Sequence, residues 1–445
     1  MHYETVLVLA KLVPLLFLAA FGACIGSLIN VLAYRLPKGM DVVSPPSRCP
    51  ACDTKLTWRE NIPIFGWLIL RGRCRFCRSP ISAEYPLVEA FVAVLFMLIA
   101  ALWYAVPPDA GLAGIPFGRV RPEWAANGPA ETWPATLVLL CLLSCLTAMT
   151  LIDFKTYTIP LVLPWVASLV AVVAHPLHAA WVQFGTHAGK LARTAPGWNW
   201  TIPTPDWWWL GASIGATVGI GLSLLLLRLG LIRRSFGDYE AWEKEQLAAA
   251  KAAGKDPDAD PTALWIAYPH ARREMVRELA FLALPGLLLW AGGTLAARLV
   301  AGNLTANPDP FQPPIEPAMP LWLAALGGVL MGYIVGGGVA WVIRVGASLA
   351  FRKEAMGMGD VHLIAAVGAC LGWIDAVLAF FAAAFVGLAW AIIASIGGGR
   401  VRRTLSYGPS LAIATLLVVL AKPLIEMGLN QLVHVPPGGK PINLP

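Results

Sequence analysis

Ten apolar runs, at about 6–33, 86–106, 135–152, 159–181, 207–229, 278–300, 320–343, 361–373, 375–396 and 408–428, alternate with polar connections. Most hold a window of about 20 residues nearly free of charge, enough for a helix to cross a hydrocarbon core of roughly 30 Å. The pattern predicts an all-α polytopic integral membrane protein of about 8–10 transmembrane helices. The run 361–373 is short for a crossing and is expected to be tilted, or broken at Gly368 and Gly372. In the first run Gly22, Ala23, Gly26 and Ser27 are small residues at helix-packing spacing, and Asn30 is placed to hydrogen-bond a neighbouring helix.

Composition strengthens this picture. The 445 residues are 58% hydrophobic and 13% charged, too little polar surface for a soluble chain of this length. The net charge of +7 raises a nucleic-acid reading, which the distribution of charge removes. About 25 of the 33 basic residues are Lys155 or fall in the connections 35–85, 228–277, 344–354 and 400–403. By the positive-inside rule those connections face the cytoplasm and the N-terminus lies outside. The opening MHYE lacks a basic n-region and the run after it is too long for a signal peptide, so it is expected to stay as the first membrane helix.

The chain divides, on this reading, into a first transmembrane helix (1–34), a cytoplasmic island (35–85), and membrane helices carrying a first acid (86–181). Added helices follow with a charged loop at 232–276 (182–345 in all), then helices carrying a second acid (346–430) and a tail (431–445). EKEQLAAAKAAGKDPDADP reads as a solvated loop, helix-forming and then broken by Asp-Pro pairs. Trp198, Trp200, Trp207, Trp208 and Trp209 suggest an aromatic belt at the headgroups. No internal repeat is evident.

The island carries CPAC (49–52) and CRFC (74–77). Two C-x2-C pairs at this separation suit a zinc-ribbon-like domain in which Cys49, Cys52, Cys74 and Cys77 close a structural Zn2+ site; two redox-active pairs are the alternative. A reducing cytoplasm favours metal over disulfides, and so small a domain needs the metal to fold. Cys24, Cys141, Cys145 and Cys370 lie within apolar runs as small fillers.

Few membrane runs carry an acid, because a charge there is costly, and two such acids stand out. They are Asp153 in LTAMTLIDFKTYTIP and Asp360 in MGMGDVHLIAAVGA, and the topology gives them the same side and depth. Alone, Asp360 could be a helix N-cap and Asp153 could pair with Lys155. Together they suit an aspartic dyad, in which one carboxylate takes a proton from water and the other, protonated, bonds the scissile carbonyl. Gly357 and Gly359 would let the backbone turn sharply beside Asp360 and approach a substrate.

Four blocks resemble the prepilin peptidases, or type IV leader peptidases, of the GxGD class of membrane aspartic proteases. These are GACIGSLINVLAYRLP (22–37), the cysteine island through ISAEYPLVEA (49–90), LIDFKTYTIP (151–160) and GMGDVHLIAAVGACLGW (357–373); YGPSLAIA (407–414) is a weaker fifth. The resemblance implies Asp153 and Asp360 as the catalytic pair of an enzyme of the bacterial inner membrane. It also implies cleavage of the basic leader of prepilins or pseudopilins after a glycine at the cytoplasmic face. Many such enzymes also methylate the new N-terminus from S-adenosylmethionine, and the cysteine island favours that bifunctional kind. No glycine-rich Rossmann fingerprint marks a donor site. Glu84 and Glu89 fall in a matching block, as structural or substrate-facing groups. Leu161 and His362 depart from the family pattern, and the segment between the two aspartates is unusually long. A non-enzymatic zinc-ribbon scaffold of a pilus or type II secretion system is the competing expectation, and a proton-relaying transporter fits poorly.

Overall fold

The computed structural model describes residues 3–44, 46–107, 110–111, 120–185, 202–253, 267–305, 316–396 and 407–433. The protein is a multi-pass membrane protein. Among the described residues it is helical throughout, with isolated β-bridges and no strand. The helices are α1 (Tyr3–Arg35), α2 (Phe65–Ile69), α3 (Glu84–Ala100), α4 (Pro129–Thr156), α5 (Val162–Phe184) and α6 (Trp207–Arg228). There follow α7 (Tyr239–Ala252), α8 (Ala271–Ala301), α9 (Leu321–Phe351), α10 (Met358–Leu371), α11 (Trp373–Ile396) and α12 (Tyr407–Leu432). Among the described residues eight are long and apolar enough to cross a membrane, or nine if the bent α12 is one span. The difference from ten runs lies in α10, only 14 residues long, and in α12, bent by 77° between Lys422 and Leu424, where a proline removes a backbone donor.

The chain forms two compact units, Met1–Leu163 with Val418–Leu444, and Pro164–Leu417. In the first, α1 packs along α3 because small residues let the two backbones close. A Cβ at Gly26 would lie 2.6 Å from the Glu89 Cα, and one at Gly22 2.7 Å from the Val92 carbonyl oxygen. Asn30 donates its side-chain N–H to the Tyr85 carbonyl at 3.0 Å, as its position suggests. On α4 the buried Leu139, Leu142, Leu143, Leu146, Met149 and Ile152 recur at helical spacing, and Asp153 ends that buried face.

In the second unit α6 and α8 pack as a pair, as do α9 and α10. Gly368 does not break α10. It is the crossing point with α9, where a Cβ would stand 2.0 Å from the Gly332 carbonyl oxygen, and the helix ends only at Gly372 (φ 96°). Trp208 belongs to the α6–α8 seam, against Gly293, and Trp207 donates to the Pro317 carbonyl at 2.9 Å; these two pack on protein. Trp198 and Trp200 lie outside the described residues.

Two basic connections differ from expectation. Arg344 is not in a connection but buried inside α9, where its guanidinium meets Glu278 of α8 at 2.9 Å and Glu354 at 2.8 Å. Glu278 also accepts from Trp341 and Ser235, both at 2.9 Å. The described part of the 232–276 island is packed rather than loosely solvated: Phe236, Tyr239, Tyr268, Ala271 and Met275 form a small core. Tyr268 ties this core to the end of α9 through its N–H on the Arg352 carbonyl, 2.7 Å, and donates its hydroxyl to Asp238, 2.7 Å. That bond holds the Asp238 carboxyl below its usual range, while desolvation and then Asp238 push the Tyr268 phenol up. The Asp-Pro pairs lie outside the described residues.

Candidate functional site

The cysteine island folds as two knuckles built on one plan. In the first, Cys49 N–H bonds the Thr54 carbonyl and Asp53 N–H the Cys49 carbonyl; in the second, Cys74 bonds Ser79 and Arg78 bonds Cys74. Leu56 N–H to Ser47 is matched by Ile81 N–H to Gly72. Each knuckle turns on a residue with positive φ, Asp53 (53°) and Arg78 (58°). The chain therefore does contain a local repeat, carried by hydrogen-bond geometry and the paired cysteines.

This brings the sulfurs of Cys49, Cys52, Cys74 and Cys77 within 4.8 Å of one another, with Cys49 and Cys77 at 3.8 Å. A tetrahedral zinc with arms of about 2.3 Å has sulfur–sulfur edges of about 3.8 Å, so the four thiols fit such an ion and could hold it. Hydrogen bonds to Thr54 lower Cys52 to about 6. The Ser79 main-chain bond lowers Cys77, but desolvation and the neighbouring thiols together push it up to about 11. Four thiolates this close need a cation.

Glu89, in the first turns of α3, is a clamp between the helices and the island. Its carboxylate accepts from Ile64 N–H at 2.6 Å. Ile64 sits in a γ-turn of the positive-φ kind (φ 63°, ψ −55°), closed by Phe65 N–H on the Pro63 carbonyl at 2.6 Å. A β-branched residue is strained there, and the buried carboxylate opposes that strain. Glu84 has a different task. It pairs with Lys155 at the end of α4, so Lys155 is engaged by a glutamate of α3.

Asp153 is 5% exposed in the last turn of α4. The helix stops four residues on at Tyr157, left-handed (φ 55°), whose N–H returns to the Asp153 carbonyl at 2.9 Å. Asp360 is partly buried and is the third residue of α10, not its N-cap. That place puts its charge beside the free amides of the first turn, where a carboxylate is favoured. Gly357 has an ordinary extended backbone (φ −66°, ψ 147°), so conformational freedom does not explain it. A Cβ there would stand 3.6 Å from Asp360 Oδ2, so glycine keeps one side of the carboxylate open. Tyr407, whose hydroxyl donates to the Phe380 carbonyl at 2.7 Å, lies within electrostatic reach of Asp360. His362 packs edge-on against Trp165 and meets the Tyr333 hydroxyl at 3.3 Å. Asp153 belongs to the first unit and Asp360 to the second. Buried Glu274, Glu278 and Asp375 were not singled out by the sequence; their runs look ordinary until tertiary partners are known.

A helical membrane protein with a four-cysteine knuckle pair and an aspartate opening a short apolar helix defines a narrow class. Residues 20–103 match the Bacterial Peptidase A24 N-terminal domain, and residues 287–392 the Type IV leader peptidase family. Asp360 lies inside the second stretch and Asp153 outside both. A "Prepilin leader peptidase/N-methyltransferase" of Klebsiella pneumoniae is 34% identical over 192 residues, covering 41% of this chain and 72% of that protein. One of Aeromonas hydrophila is 30% identical over 258 residues, covering 46% and 80%. One of Myxococcus xanthus is 51% identical over 80 residues, but these span only 24% of its length and 18% of this chain. The chain belongs to the type IV leader peptidase family. No solved structure matches it.

Proposed function

We propose that this chain is a membrane aspartic endopeptidase that removes the basic leader of type IV prepilins or pseudopilins and then N-methylates the exposed terminus. The observation that carries the reading is the position of Asp360, at the mouth of α10 inside the matched family stretch. The shared name of the relatives, peptidase and N-methyltransferase, supports both halves. Its catalytic pair is Asp153 with Asp360, at the cytoplasmic face of the bacterial inner membrane, the N-terminus lying outside.

A prepilin held by its apolar helix, with its basic leader in the cytoplasm, presents its scissile bond at the depth these two acids are expected to share. One carboxylate is ionised and takes a proton from the attacking water; the other is protonated and hydrogen-bonds the carbonyl oxygen. A side chain at Gly357 would lie in van der Waals contact with Asp360 Oδ2. The cysteine knuckles would hold zinc through four thiolates, a closed set with no position for substrate, so the metal would shape the island. S-adenosylmethionine, when bound, supplies an electrophilic methyl group for the new amine. Co-expression with a prepilin and mass spectrometry of the pilin tests the reading. A product starting just after the leader glycine and one methyl heavier is expected; an intact precursor refutes the peptidase assignment, and an unmethylated product refutes the methylase.

A further inference from the structure

The methylation half of the proposed function requires a site for the donor, and the sequence shows no fingerprint for one. The first unit holds a cavity of about 530 Å³ between the last turns of α1, the first turns of α3 and both knuckles. Its size falls within the range of roughly 300–1,000 Å³ that small-molecule sites occupy. The chemistry of its wall narrows the ligand.

Glu60 lines this cavity with a side chain that is 5% exposed. One oxygen, Oε2, accepts from Thr57 N–H at 2.8 Å and from the Thr57 hydroxyl at 3.1 Å. The other, Oε1, is sealed from solvent and accepts no hydrogen bond; Arg75 Nη1 faces it from 3.7 Å. A buried acceptor without a hydrogen bond is destabilising, so an oxygen of this kind points to a group that donates to it when bound. Trp67 and Phe76 give the same wall aromatic surface. Arg75, 64% exposed on its side chain, retains N–H groups for an anion. The other arginines of the wall are engaged: Arg35 donates to the Asp41 and Val42 carbonyls, and Arg48 pairs with Asp53.

A buried carboxylate with one oxygen lacking a hydrogen bond, an aromatic surface and an arginine in one cavity match the parts of an adenosyl amino acid. We infer that this cavity binds the adenosyl-sulfonium methyl donor, with the Glu60 carboxylate turning to accept from the ribose hydroxyls, Trp67 or Phe76 against the adenine, and Arg75 at the donor's carboxylate. A carboxylate on a ribose diol is a recurrent solution in nucleotide sites. The assignment rests on the methyltransferase half of the proposed function and is independent of the aspartate pair.

The test is equilibrium binding of S-adenosylhomocysteine to the full chain in lipid nanodiscs, by calorimetry, for wild type, Glu60→Gln and Lys244→Ala, an exposed control on α7. Glu60→Gln keeps the shape and removes the charge. It is expected to weaken binding at least about tenfold with bound metal unchanged, as for loss of one charge-assisted hydrogen bond, while Lys244→Ala binds as wild type. A photoactivatable adenosyl analogue is expected to label peptides within residues 46–85. Wild-type affinity in Glu60→Gln, or labelling confined to other segments, overturns the site and leaves the proposed function standing. Absence of binding by the wild type overturns the site and the methylase together, leaving leader cleavage untouched.

Discussion

Glu89→Ala probes how the helices hold the cysteine island. The substitution removes the carboxylate that accepts Ile64 N–H at 2.6 Å and leaves that N–H unpaired in a half-buried turn. A hydrogen bond to a charged group contributes about 1.5–3 kcal/mol, and the positive-φ turn it opposes stores about 1–3 kcal/mol of strain. Losing the bond releases the turn, so local opening at 62–66 should become easier by about 2 kcal/mol, roughly a thirtyfold rise in exchange-competent population. Native-state hydrogen exchange on peptides covering 60–70, with the protein in nanodiscs, reads this directly. Ile64→Gly works in the opposite sense, because glycine adopts φ near 63° without the Cβ clash; exchange at the same amides should slow, offset in part by lost side-chain packing. Unchanged exchange at 62–66 in Glu89→Ala, or faster exchange in Ile64→Gly, would refute the clamp.

The buried Arg344–Glu278 pair should behave as a unit. Arg344→Met strands a buried carboxylate and is expected to cost about 3–5 kcal/mol of stability, while adding Glu278→Gln recovers part of that; additive losses in thermal unfolding would contradict the pairing. Cys74→Ser should abolish metal binding by elemental analysis and expose residues 46–82 to protease; retained stoichiometric metal would remove Cys74 from the ligand set. The Asp238–Tyr268 bond makes docking of the 232–276 island depend on pH at both ends. The depressed Asp238 contributes stability present above its unfolded pKa of about 3.9 and lost as pH falls through its lower folded value. The raised Tyr268 contributes stability present below its unfolded pKa of about 10 and lost as pH climbs toward its higher folded value. Tyr268→Phe should flatten both flanks when island proteolysis is followed against pH, and a profile identical to wild type would refute the assignment.

How far the sequence could be read depended on whether a residue's partner is implied by local pattern. Gly22, Gly26 and Asn30 were legible because close helix packing needs small residues at fixed spacing, and a polar group in an apolar run needs a partner. The four cysteines were legible because C-x2-C pairs leave few chemical alternatives. The equivalence of the knuckles was hidden, since Asp53 and Arg78 occupy matching positive-φ positions with unlike side chains. Ile64 was illegible for a related reason: β-branched residues disfavour positive φ, and only Glu89, 25 residues away, explains the turn. Arg344 resembles a membrane-flanking charge in sequence because its partner Glu278 is 66 residues distant. Gly368 reads as a possible break in one dimension, where a glycine that weakens a helix and one that admits a neighbouring backbone look alike.

The central claim is that Asp153 and Asp360 act as one catalytic pair. The most direct measurement is leader release from a synthetic prepilin by the purified full chain in liposomes, for Asp153→Asn and Asp360→Asn separately, each with wild-type metal content. An uncut precursor is expected with either variant, because one carboxyl group cannot both activate the water and hydrogen-bond the carbonyl oxygen. Normal cleavage by either one would contradict it.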